Sequence, residues 1–364
     1  MSTATKLISA SNKSIGKPAE YFYYTASKIA TSPVYDAALF EADVRDPDNI
    51  TVSLSHTLTS SNYNYYSYAM TPMPAYNGVA VGQPQTTGQR LQFRQTRPGN
   101  TTSWTSLVGQ SRLSGILFDE ETDTLYYSGS GGLISSINAS NGTSKGSVSV
   151  HTASDYFGLF FIDNKSKILA VQQYSSTGGA GIANITNPNN LTVTASNITI
   201  SNLFLQHPIS QACVYDDAND RLWATTNAGL RCYTYNGSNA FTLTNTFDHT
   251  PFFGISYRPF CLTADFDRGL AFVSSELGLA IYDISDPANI SQTATYNTYR
   301  VGTHKYDPVG QNIFSCHDHT SALGGVLSFD VSDSSSITLR DRVVLSNPYT
   351  RFDDAPSSAL LFQE

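Results

Sequence analysis

The side chains best suited to chemistry cluster at Cys316–His319, where the chain reads Cys-His-Asp-His. Two imidazoles, a carboxylate and a thiol are the donor types that zinc and copper take. Shortly before them comes His304. Three residues ahead of a turn aspartate, four other segments place Ile116, Phe160, Cys213 and Leu262, and this one places His304, a polar exception in an apolar column. A hairpin about Asp307–Asn312 sets His304 near Ser315 and Cys316. On an extended strand, however, His317 and His319 share one side while Cys316 and Asp318 take the other. At most three groups then converge without outside help. His304, Cys316, His317 and His319 are therefore a zinc or copper candidate set with a competing reading, a polar loop beside one hydrogen-bonded core histidine.

Other candidates gather by residue type. The chain has seven histidines. His151, His207, His249 and His304 fall in or near the connections between repeated units, His317 and His319 in a long loop, and His56 within a strand. Tyr63, Tyr65 and Tyr66 sit in Asn-Tyr-Asn-Tyr-Tyr, joined by Tyr156, by Tyr257 with Arg258, and by Tyr299 with Arg300. Tyrosine brings large, rigid, amphipathic contact area at low entropic cost, so these residues mark a candidate binding face. Packing of a wide loop is the alternative. The acidic turns lack the Asp-x-Asp-x-Asp-Gly spacing of a calcium loop. No nucleophile elbow, P-loop or His-Glu-x-x-His motif occurs. The glycines at Gly129–Gly132 and Gly178–Gly181 precede strands and not helices, so they cradle no phosphate.

The elements that must position these residues are strands. Charged residues make up only 14% of the chain, and Ser, Thr, Asn and Tyr stand in their place, a mixture that favours short strands and turns. Cys261–Tyr296 reads as strand, acidic turn, strand, Gly-containing turn, strand, Asp-Pro turn, strand. Within it Gly278–Ile290 (GLAIYDISDPANI) is echoed at Ala38–Ile50 (ALFEADVRDPDNI), Gly179–Leu191 and Gly324–Ile337. A second landmark is independent: Asp119 to Gly132, Asp216 to Gly229 and Asp265 to Gly278 span the same length. An apolar residue follows each turn aspartate at a fixed step, at Leu125, Leu222 and Ala271; Leu169 after Asp163 and Ile313 after Asp307 keep that step.

The period is about 48 residues. Seven units follow, at 25–61, 67–109, 114–154, 156–198, 209–249, 257–298 and 301–347, with 348–364 as a closing segment. The second is the weakest, its Asp-Pro pair replaced by Arg97-Pro98. One such unit cannot bury both faces alone; a ring of seven does, and it protects the strand edges. The chain is thus expected to be all-β, a single seven-bladed propeller of four-stranded antiparallel blades, with 358–364 pairing onto the N-terminal blade. Gly278–Ile290 resembles the LVIVD repeat family, whose members form propellers and occur in prokaryotic surface proteins. That resemblance implies a surface propeller. In such a ring the acidic turns share one face. The loops between second and third strands and between blades share the other, where six of the histidines map.

Composition narrows the function further. A net charge of −8 supplies no basic stripe for nucleic acid, and no apolar run is long enough to enter a membrane. Cys213, Cys232, Cys261 and Cys316 lack metal-ligand spacing and read as buried thiols, with a Cys213–Cys232 disulfide as the alternative. The N-terminus lacks the apolar core of a signal peptide, although the surface chemistry looks extracellular. A virion component, assembled in the cytoplasm and freed by lysis, reconciles the two, with a cytoplasmic protein as the alternative. The leading expectation is a non-catalytic binding or structural module, contacting other structural proteins of a particle or a cell-surface ligand, with no cofactor. The alternatives are a metal-dependent propeller hydrolase or oxidase with histidines at the channel mouth, and a glycan-binding lectin.

Overall fold

The computed structural model describes residues 17–28, 37–58, 69–83, 89–95, 101–108, 113, 115–129, 132–152, 157–172, 178–200, 203, 212–226, 229–237, 240–249, 259–275, 277–317, 325–345, 349–351 and 358–361. Among these the elements are strands, apart from the 3-10 turn Pro74–Tyr76. Six sheets have four strands and one has five. Their first strands are Met70–Met73, Ile116–Asp119, Phe157–Ile162, Cys213–Asp216, Pro259–Asp265 and His304–Asp307 in blades two to seven. In blade one that place is taken by Ser358–Leu361, which pairs antiparallel with Tyr21–Tyr24. Each first strand lies beside that of the next blade, and Ser358–Leu361 touches both His304–Asp307 and Met70–Met73, which closes the ring. This is a seven-bladed β-propeller.

Each of the seven blade-to-blade interfaces has its own apolar core. Second and third strands are covered on both faces. Thr124–Gly129 and Leu270–Ser275 are buried throughout, which is why they lack the strict alternation of a half-solvated strand. Outermost strands show the alternation of a half-solvated sheet, as Phe241–Phe247 does.

The repeated Asp-x-x-Asp stretch has a local cause. Asp43, Asn184, Asp283 and Asp330 each accept the backbone N–H two residues on, at 2.9–3.2 Å. Asp46, Asn187, Asp286 and Asp333 do the same at 2.8–3.1 Å. Two successive side-chain-to-backbone bonds carry the chain from third to fourth strand. Asparagine substitutes freely because the bond needs an acceptor and not a charge. Ile50, Leu191 and Ile290 then drop into the core facing the preceding blade.

Blade four departs from the expected register. Leu125, Leu222, Ala271 and Ile313 face the preceding blade, but Leu169 faces the following one. Its first hairpin is as long as the others but begins one residue earlier: Ile162 pairs with Lys167, which leaves Asp163 in the turn with Asn164 and Lys165, all at positive φ. Asp119, Asp216, Asp265 and Asp307 are themselves the last paired residues, so the one-residue shift flips the parity of the second strand. The disulfide alternative is also corrected. Cys213 packs toward blade four and Cys232 toward blade six, on opposite faces of one sheet, and all four cysteines are buried free thiols.

Candidate functional site

In blades three to seven the antiparallel alternation sends the first strand down to an acidic turn and the second strand back to the opposite face. His304 pairs with Ser315 as expected. Its Nδ1 lies 3.0 Å from Ser274 Oγ and its Nε2 2.9 Å from Thr263 Oγ1, both on blade six. His249 repeats the arrangement between blades five and six. There Nδ1 is 2.8 Å from Tyr282 OH and Nε2 3.3 Å from Thr225 Oγ1. Burial lowers both imidazoles to about 3; Lys305 adds to the effect on His304, and Asp248 opposes it on His249. These are neutral core histidines with both ring nitrogens engaged by hydroxyls.

The metal candidate set is therefore split by the sheet. His304 faces blade six, whereas Cys316 packs with Phe22, Tyr24 and Phe314 against blade one, its thiol pushed well up by burial. The two cannot ligate one ion. His317 ends the strand Asn312–His317 opposite Gly325, while its side chain and all of His319 lie outside the described residues. Among the described residues, no group of three or more His, Cys, Asp or Glu is placed to hold a metal. Tyr63, Tyr65, Tyr66, Tyr156, His207, Tyr257 and Arg258 also lie outside them. Tyr299 is described, and it packs: the Arg342 guanidinium sits 4.4 Å above its ring, with Tyr296 alongside. Arg300, next to it, is half-buried.

One residue that sequence reasoning passed over stands out. Two positions before the turn aspartate, blades three, five and six carry Leu117, Val214 and Thr263, and blade seven carries Lys305. On the described first strands it is the one basic side chain besides the buried His304. The signal lay one position along from the column that set His304 apart. Lys305 pairs with Phe314 and so shares the sheet face that looks toward blade one. It is only partly covered, yet the protein around it holds its ammonium below the ordinary lysine value, with the Cys261 thiol opposing. Cys261 is itself fixed, its thiol donating to His304 O at 3.4 Å.

Beneath Lys305 the strand ends are braced. Tyr306 OH donates to Asp265 Oδ2 at 2.6 Å, and Arg268 reaches across to Val331 O at 3.1 Å and Ser332 O at 2.9 Å. Asp307 accepts from Val309 N at 3.0 Å and from Ala19 N at 2.9 Å, which ties blade seven to the chain entering blade one. A lysine kept low in pKa on a rigid strand is more often the neutral amine than a surface lysine is. It can accept a proton or attack a carbonyl.

No family model matches the chain, and no curated protein sequence matches it. Solved structures do. A periplasmic gluconolactonase from Pseudomonas aeruginosa is 10% identical, covers 94% of this chain and 99% of its own, and superposes with a TM-score of 0.64. A putative 6-phosphogluconolactonase from Bacteroides fragilis is 9% identical over 94% of this chain and 98% of its own, with a TM-score of 0.62. A protein from Lactobacillus plantarum is 11% identical over 94% and 100%, with a TM-score of 0.65. The likeness is one of fold. It also corrects the leading expectation of a non-catalytic virion or particle-surface module. Propellers of this length and build carry the names of enzymes. Low charge and loops rich in Tyr, Ser, Thr and Asn do not by themselves single out a binding role.

Proposed function

We propose that this chain is an enzyme that opens a lactone ring by hydrolysis, with the substrate in the central channel and Lys305 as the base. The observation that carries the reading is half-buried Lys305, its ammonium disfavoured by burial, as the one lysine or arginine on the described first strands. The end-to-end likeness to propellers named as lactonases supports it. Water adds to the lactone carbonyl as its proton passes to Lys305 Nζ. The tetrahedral intermediate collapses by breaking the ring C–O bond, and the leaving alkoxide takes the proton back from the lysine. The product is a hydroxy acid, which releases one proton to neutral solvent. We also read the Asp-x-x-Asp units as repeats of the LVIVD type, on the strength of their shared turn chemistry.

Acid release in a pH-stat with gluconolactone, corrected for spontaneous opening, tests this. Lys305→Met is expected to lower kcat/KM by about a hundredfold or more. Lys305→Arg should do the same, because guanidinium does not give up its proton. An arginine variant that keeps full activity would show that the position supplies charge and not a base. Activity should rise with pH through a transition below the ordinary lysine value, because the neutral amine is the active form. Dialysis against a chelator, followed by zinc or copper, decides whether His317 and His319 add a metal.

A further inference from the structure

We infer that the substrate is a neutral lactone bearing an alkyl chain, and not a phosphorylated or polyhydroxylated sugar lactone. This rests on the lactone-hydrolase reading and names its substrate class. A sugar ring leaving water needs a protein partner for nearly every hydroxyl, and each one left without a partner costs free energy. Most polar side chains of the first strands already have partners within the protein, with Asp119 Oδ1 the exception. Thr263 Oγ1 is engaged by His304, Tyr215 OH donates to Asp220 Oδ1 at 3.2 Å, and Tyr306 OH donates to Asp265. Asp119, Asp216, Asp265 and Asp307 all accept bonds from their own turns.

Besides Thr263 and Tyr306, whose hydroxyls are engaged, what stays partly uncovered on these strands is chiefly apolar: Pro72, and Leu117, Phe160, Val214 and Ala264, which also pack against the blade-to-blade cores. A phosphate group calls for clustered arginines or lysines. The described first strands offer Lys305 alone, with its charge disfavoured by burial. An alkyl chain asks nothing of such a wall but contact. With the ester carbonyl at Lys305, the chain would lie along the first strands of blades two to six.

The test is a set of initial rates for the full chain on 6-phosphogluconolactone, gluconolactone and γ-lactones with alkyl tails of increasing length. Calorimetry with the matching γ-lactams, which resist hydrolysis, runs beside it. Each added methylene is expected to raise kcat/KM by up to about fourfold until the channel is filled. Val214→Thr, which keeps the shape and adds a hydroxyl, should reduce that gain. A rate that is flat with tail length, or highest for 6-phosphogluconolactone, overturns the substrate class while leaving lactone hydrolysis standing. If no lactone is opened, the reading of function falls. The lactams then judge the channel alone, and affinity that fails to climb with tail length overturns the inference.

Discussion

His249 and His304 each sit at a blade interface where two hydroxyls meet one imidazole, and burial keeps both rings neutral. Unfolding returns each ring to near 6.5, so the unfolded chain binds more protons between about 3 and 6.5. Their contribution to stability is full above about pH 6.5 and is lost as the pH falls toward 3. Urea midpoints measured from about pH 7 down to about pH 4 should fall, and the double variant His249→Gln, His304→Gln should flatten that fall. An unchanged slope would mean that other groups carry the acid sensitivity. The sequence showed that His304 was out of place in its column, but not why. Its partners Ser274 and Thr263 lie in another blade, and serine and threonine are too common here to announce a bond. Lys305 went unread because lysine has no signature spacing; only its place on a first strand gives it meaning.

Elements carried the most legible signal, because their turns are local chemistry. Asp283 accepts from Ser285 N and Ser285 Oγ, and Asn184 makes the equivalent two bonds with Thr186 in blade four. Asp283→Asn should therefore be nearly neutral, whereas Asp283→Ala should cost about 1 kcal/mol in urea unfolding. Equal losses would mean that charge matters at this turn after all. Where a turn shifted by one residue against its aspartate, the reading slipped. The turn at Asp163–Ser166 begins one residue early, so an apolar residue stands at the expected step after Asp163, yet Leu169 points at the other neighbour. Pattern counts apolar positions but not faces, so such a parity change is invisible until the strands pair. In blade two the acidic turn is replaced by the 3-10 turn Pro74–Tyr76, whose tyrosine hydroxyl reaches Asp123 of blade three.

At the scale of the molecule, seven blades and their closure were readable because the repeat length multiplied by seven nearly exhausts the chain. The strand Ser358–Leu361 completes blade one from the far end of the sequence. Deleting 356–364 should lower the melting temperature by several degrees, and an unchanged value would show the ring closing without that strand. The innermost position of blade one is where the ring is joined. A loop of almost the whole chain is closed there by one short strand pairing, and a second short contact, at Tyr349–Arg351, lies at the other end of Tyr21–Lys28. Local opening follows the smallest cooperative unit. Ser358–Leu361 adjoins His304–Asp307, the strand bearing Lys305, so amide exchange is expected to be faster there than in the first strands of blades three to five.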